Sequence, residues 1–248
     1  MDNLSLIYRL SLIIGAIANL FMAASLFAGQ KAYKPYTVYS RARQFLMLWL
    51  AVFAAGYLIH AALELRVVWP TAATALTVTY FHLGAICFCW GFIPLLNPDY
   101  LTRKIAVRDT IIFAIGVIGC WTTALITREI SVLTLLPSLV FFAYCACNAV
   151  VFYRTFHRVS YRLLTMSYGT VRGFVRWMQL SCDLIVFFGI FIVAITLLFP
   201  VSIRYITPVE TILGIGLFAY IVRSVARYGS VVEEATRATE NVAEFEKS

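Results

Sequence analysis

Apolar residues run almost unbroken through seven stretches of the chain: 5–29, 44–65, 70–95, 109–127, 131–153, 176–200 and 207–224. Each is close to the roughly 20 residues that a helix needs to cross the hydrocarbon core of a bilayer. Charged or proline-containing breaks separate most of them, at 31–43, 66–70, 97–109 and 128–129. The pattern predicts an all-α, polytopic, seven-transmembrane-helix bundle over residues 1–224. A polar, acidic segment with good helix formers follows over 225–248 and reads as a helical tail.

The basic residues collect in alternate breaks. Lys31, Lys34, Arg41 and Arg43 share one, and Arg103, Lys104 and Arg108 the next on the same side. Arg154, Arg158, Arg162, Arg172 and Arg176 share a third, and Arg223, Arg227, Arg237 and Lys247 belong to the tail. The opposite side holds only Arg9, Arg66, Arg128 and Arg204. The positive-inside rule then places the N-terminus outside and the C-terminus in the cytoplasm. Merging the fourth and fifth spans would break the alternation, so the charge pattern supports the count of seven independently of hydropathy. Trp69, Tyr100, Tyr153, Tyr161, Trp177 and Tyr205 flank spans, where amphipathic rings favour the membrane interface. The start, Met1-Asp2-Asn3, lacks a basic region, so the first apolar run reads as a retained span rather than a cleaved leader.

Composition agrees. Of the 248 residues 62% are hydrophobic and only 13% charged, with a mean hydropathy of +0.86. That is about half the charge a soluble domain uses to cover its surface. The net charge of +8 lies between apolar spans, where it faces lipid phosphates, and no nucleic-acid recognition module is present. The six cysteines, Cys87, Cys89, Cys120, Cys145, Cys147 and Cys182, all fall within spans. They have neither a disulfide framework nor zinc-site spacing, and read as small packing residues.

Ionisable groups inside hydrocarbon are costly, so each is a candidate site. Asp183 in the sixth span is the sharpest, and Asn148 in the fifth lies at a similar depth. The two could hydrogen-bond across neighbouring antiparallel helices, as an ion or proton site, a switch, or a plain interhelical clamp. His82 sits near the middle of the third span. His60 lies four residues before Glu64, which puts both on one helix face. Arg66, Glu129, Arg204 and Glu210 fall at the same outer level and form an expected polar cluster. Two histidines and a carboxylate can bind a metal, but no ligand spacing supports one, so no metal or other cofactor is expected. Pro94, Pro137, Pro200 and Pro208 are expected to kink or end helices. Catalytic signatures such as His-Glu-x-x-His, Gly-x-Ser-x-Gly or a P-loop are absent, and span 7 has no lysine for a Schiff base.

The aromatic and basic residues of 154–176 read as an interfacial helix on anionic headgroups. In the tail, Val231, Ala235, Ala238, Val242 and Phe245 recur at a spacing of 4-3-4-3. The register runs back through Tyr228, Ser224, Ile221 and Leu217 into span 7, a heptad-like stripe leaving the membrane. Gly229 is the one expected break. The stripe offers a surface for a cytoplasmic protein or for a homodimer.

The N-out seven-span plan, the run Tyr39-Ser40-Arg41-Ala42-Arg43-Gln44-Phe45 leading into span 2, and the helical exit from span 7 together carry a resemblance. The layout resembles the seven-helix membrane input regions of bacterial sensor kinases and membrane-tethered transcriptional regulators. That resemblance implies a sensory or regulatory protein of the bacterial cytoplasmic membrane. Those proteins carry a kinase or DNA-binding domain after the last span. Here about 24 residues follow it, which implies output through a separate partner. The competing expectation is a small secondary transporter or channel using Asp183 and His82 as coupling groups, and a third is an intramembrane enzyme.

Overall fold

A computed structural model gives the architecture. It describes residues 3–127, 132–166, 172–199 and 203–245, with side chains described at all of these except 132–135, 160–166, 172–175 and 230–245. The elements are α1 (Asn3–Ala28), a 3-10 turn (Gln30–Tyr33), α2 (Thr37–Leu63), the one-turn α3 (Leu65–Val68), α4 (Pro70–Leu96), α5 (Arg103–Ile126), α6 (Val132–Met166), α7 (Arg172–Leu198) and α8 (Ile203–Phe245). No strand occurs among the described residues. Seven of the helices are long and apolar enough to cross a membrane, as the hydropathy pattern predicts.

α4 is the centre of the bundle. In its most apolar stretch 72% of residues are buried, against 22% in α5. It packs against α2, α5, α6 and α7, while α1 packs on α2 and α8. A helix surrounded by others has no polar face to present, and α4 is apolar or small nearly all round. Lipid is as apolar as leucine, so helices in a bilayer associate through close fit rather than through exclusion of water. The fit here is aromatic. Phe218 of α8 lies edge-on to Trp49 at 5.1 Å and to Phe53 at 5.2 Å between ring centroids. Gly56 makes room for the Tyr80 ring, which a Cβ would approach to 2.6 Å.

The helices begin inside the basic segments rather than after them. α2 starts at Thr37 and α5 at Arg103, several residues before the apolar runs expected at 44 and 109. The Thr102 hydroxyl caps α5 by accepting from the Ile105 amide, and a cap sets the start of a helix more firmly than hydropathy does. The interfacial segment expected over 154–176 is a continuation of α6 as far as Met166, with Tyr161 and Arg162 among the residues without described side chains. Pro94, Pro137 and Pro208 lie inside helices rather than at their ends, and Pro200 lies outside the described residues. Tyr100 and Trp177, expected at the lipid interface, are each only 8% exposed and turn into the core.

Gly229 does not break α8. The helix is continuous through it, and glycine serves a close approach instead: a Cβ there would stand 2.5 Å from the Tyr39 hydroxyl and 2.9 Å from the Tyr33 ring. The tail stripe at Val231, Ala235, Ala238, Val242 and Phe245 lies on α8, but those side chains are outside the described set.

Candidate functional site

Three polar clusters interrupt the apolar bundle. The first lies where α2 stops and α4 begins, the Arg66 end. α2 terminates at Glu64, the one non-glycine residue with positive φ among those described (φ 46°, ψ 36°). A left-handed turn costs such a residue about 1 kcal/mol, and two interactions hold it. Its carbonyl accepts from the Val67 and Val68 amides at 2.8 and 3.1 Å. Its carboxylate accepts from Arg9 Nη1 at 2.8 Å. The turn swings Glu64 towards α1, so His60 and Glu64 do not form the shared face expected of them.

His60 is instead joined to α4. Its Nε2 lies 3.2 Å from Thr77 Oγ1, and Arg66 Nη2 donates to that same oxygen at 2.7 Å. The Thr77 hydroxyl spends its proton on the Ala73 carbonyl at 2.9 Å. With that proton committed, His60 Nε2 must be the donor, which leaves Nδ1 of the neutral ring as an acceptor. That Nδ1 is buried without a partner, as are Arg66 Nη1 and the Thr211 hydroxyl of α8. Glu210 is only 6% exposed and lies in electrostatic range of Arg66. Tyr8, Tyr57 and Tyr80 lie in range of Glu210 in turn, and Arg204 in range of Tyr8. Arg66, Arg204 and Glu210 thus all act electrostatically on Tyr8, whereas Glu129 lies outside the described residues.

The second cluster was not anticipated. Asp109 of α5, placed by the apolar pattern at the edge of a loop, is fully buried. It accepts from Trp90 Nε1 of α4 at 2.8 Å and from Arg108 Nε and Nη2 at 2.9 and 2.7 Å. Arg108 shields the charge from the solvent side, its own side chain being half exposed. Close by, the Tyr100 hydroxyl donates to Asn148 Oδ1 at 3.3 Å, and Asn148 Nδ2 to the Tyr144 carbonyl at 2.9 Å. Burial pushes the Tyr100 phenol up to about 12, so it stays a donor. His82 is fully enclosed between Phe113, Phe141 and Tyr144 at 5.3, 5.8 and 4.9 Å, with neither ring nitrogen bonded. Asp109 acts on it electrostatically.

The third cluster, also unanticipated, is built on Arg43, which the charge count treats as a topology signal. It is 3% exposed. Its Nη2 donates to the Leu26 carbonyl at 2.5 Å, its Nε to Gln30 Oε1 at 3.2 Å and its Nη1 to the Tyr39 hydroxyl at 3.3 Å. The guanidinium also lies over the Tyr33 ring at 4.8 Å. Arg43 thus caps the last turn of α1, whose carbonyls lack intrahelical partners. The Tyr39 hydroxyl in turn donates to the Val225 carbonyl of α8 at 2.8 Å. Tyr228 packs on Tyr39 and Trp177, so α8 is held where it passes Gly229.

Asp183 and Asn148 are not brought together. Asp183 faces the exposed side of α7 and accepts from the Tyr153 hydroxyl of α6, while Asn148 turns inward to Tyr100. Equal depth fixes height along a helix and says nothing about its face. Between α2, α4, α6, α7 and α8 lies a cavity of about 50 Å³, lined by aromatic rings and by Cys89, Cys145 and Cys182. All six cysteines are free. Among the described residues no three His, Cys, Asp or Glu side chains converge as a metal site.

No family model, curated protein or solved structure matches the chain.

Proposed function

We propose that this chain is a sensory or regulatory module of a cell membrane, with the Arg66 end outside and the Arg43 end in the cytoplasm. The observation that carries the reading is the continuity of α8. One helix holds Glu210 and Thr211 in the first cluster, Leu217 and Phe218 on the aromatic cavity, and Val225 and Gly229 in the Arg43 clamp. It then continues to Phe245. A shift at the Arg66 end is passed along a rigid element, and the segment beyond Gly229 offers it to a cytoplasmic protein or to a second copy. The orientation rests on the positive-inside count, and a bacterial cytoplasmic membrane is the setting that fits the seven-helix input-region layout.

The test compares the full chain, a chain ending at Gly229, and Tyr39→Phe, which frees α8 from its clamp. Each is purified from native membranes in mild detergent and its co-purifying proteins are identified and quantified. A partner that is lost with the tail and altered in amount by Tyr39→Phe supports the reading. The same partners in all three preparations would sink it.

One observation favours a second reading. His82 has both nitrogens bare and Asp109 in range, an arrangement suited to proton-coupled transport. Proteoliposome flux that vanishes in His82→Phe would select it. Asp183, on the exposed face, belongs to neither path.

A further inference from the structure

α5 packs chiefly on α4 and α6 and is the least buried of the seven spans. Its seam with α6 is not closed. A groove of about 370 Å³ runs there, lined by Arg108 and Ile112 of α5 and, on α6, by residues from Val140 to Val151 that include Ala143 and Cys147. By helical rise that stretch of α6 is about 16 Å long. A second, more open groove follows α5 itself, past Arg103, Lys104, Val107, Arg108, Ile111 and Ile112. The two grooves share Arg108 and Ile112, which stand one turn apart and form the ridge between them.

Charge is placed at one end of both grooves. Arg103 and Lys104 are exposed in the first turn of α5, and neither forms an ion pair among the described residues. Asp99, the acid of the preceding connection, pairs with neither of them. Arg108 is committed to Asp109 at 2.7 Å, yet half of its side chain remains exposed. On α6 the lining residues Val140, Tyr144, Cys147 and Val151 recur at a spacing of 4-3-4. The same register continues to Arg154 and Arg158, both exposed. Away from this end the lining is uncharged, with Ile111, Ile112 and Val140.

We infer that this face of α5 and α6 holds an anionic phospholipid at the Arg43 end of the bundle. One acyl chain fills the α5–α6 groove. The other lies across the Arg108–Ile112 ridge, against Val107 and Ile111. Arg103 and Lys104 take the phosphate headgroup, and Arg154 and Arg158 add positive charge from the α6 side. An unfilled groove between helices forfeits the close fit that holds them together in a bilayer, and an acyl chain is the filler that a bilayer supplies. A zwitterionic lipid would fill the groove equally well but leave the cations unmatched, so the headgroup charge discriminates. The positive-inside count asks only that basic residues lie on one side, whereas these grooves fix one lipid at one seam. The inference goes beyond the sensory reading and stands whether or not the tail has a partner.

The full chain in mild detergent is titrated with phosphatidylglycerol and with phosphatidylcholine of the same acyl chains, and retained lipid is counted by native mass spectrometry. One phosphatidylglycerol is expected to bind at least about tenfold more tightly than phosphatidylcholine, with the preference shrinking as salt is raised. Arg103→Gln combined with Lys104→Gln is expected to weaken phosphatidylglycerol binding by about twentyfold and to leave phosphatidylcholine little changed. Lys31→Gln combined with Lys34→Gln removes the same charge at the same end but outside the grooves, and is expected to change binding by less than about twofold. Cys147→Trp, which fills the groove, is expected to weaken both lipids. Equal retention of the two lipids overturns the inference, as do equal losses from the two charge-removed pairs. Thermal stabilisation by inorganic phosphate as large as that by phosphatidylglycerol would reduce the site to one for a free anion and overturn it too.

Discussion

Arg43, early in α2, and Arg66, just beyond its end, are both drawn into the bundle and are treated in opposite ways. Arg43 spends its donors on a helix-end carbonyl, an amide and a phenol, and stacks on a tyrosine. Arg66 donates from Nη2 to Thr77 and leaves Nη1 buried without a hydrogen-bond partner. A charge with every bond made locks helices together and has nothing left to offer a ligand. A charge with bonds unmade weakens the fold and retains binding capacity. The Arg43 end is therefore the more fully bonded of the two, and the Arg66 end the less. Asp109 sides with Arg43: it is fully buried and accepts three hydrogen bonds.

Removing the satisfied arginine tests the contrast most severely. Arg43→Met should cost about 3 kcal/mol or more, because it strands the Leu26 carbonyl and the Gln30 amide and loosens Tyr39. The measurement is thermal or denaturant unfolding in detergent. Arg43→Lys should recover only part of that, since a point charge cannot reproduce the fork or the stacking. Asp109→Ala should cost about 2 kcal/mol by leaving Trp90 Nε1 buried and unbonded, and Trp90 fluorescence should shift with it. Glu210→Gln should carry the opposite sign, raising stability by about 1 kcal/mol by removing the desolvation cost of a charge that is only 6% exposed. Should it destabilise as Arg43→Met does, the contrast between the two ends collapses. The smallest effect is expected at Asp183→Asn, within about 0.5 kcal/mol, because the amide oxygen still accepts from Tyr153. A large loss there would return Asp183 to the centre of the mechanism.

The spans were legible because hydrocarbon selects for long apolar runs whatever they pack against. The clusters were less so, because they depend on which face each residue occupies. Asp183 stands out by its chemistry and lies on the exposed face of α7. Arg43 and Asp109 passed for interface charges because they sit at the edges of apolar runs. A signal for both was present nonetheless. In α2 the buried residues Tyr39, Arg43, Leu46, Leu50, Phe53, Tyr57 and His60 recur every three or four positions. In α5, Asp109, Gly116, Cys120 and Ala124 share one buried stripe. A charge in register with an inward stripe is an inward charge, and that test separates Arg43 from Arg41. What no local pattern contained was pairing across helices, such as Trp90 with Asp109 or Tyr39 with Val225, which arises only once the bundle closes.

The grip on α8 at Gly229 has a mechanical consequence. By helical rise, Glu210 lies about 28 Å from Gly229 on one side, and Phe245 about 24 Å on the other. A stiff rod held near its middle by the Tyr33 and Tyr39 rings is a lever with a fulcrum. Tilting it by 1 Å at Glu210 would swing Phe245 by a little under 1 Å in the opposite direction, with almost no gain or loss of amplitude.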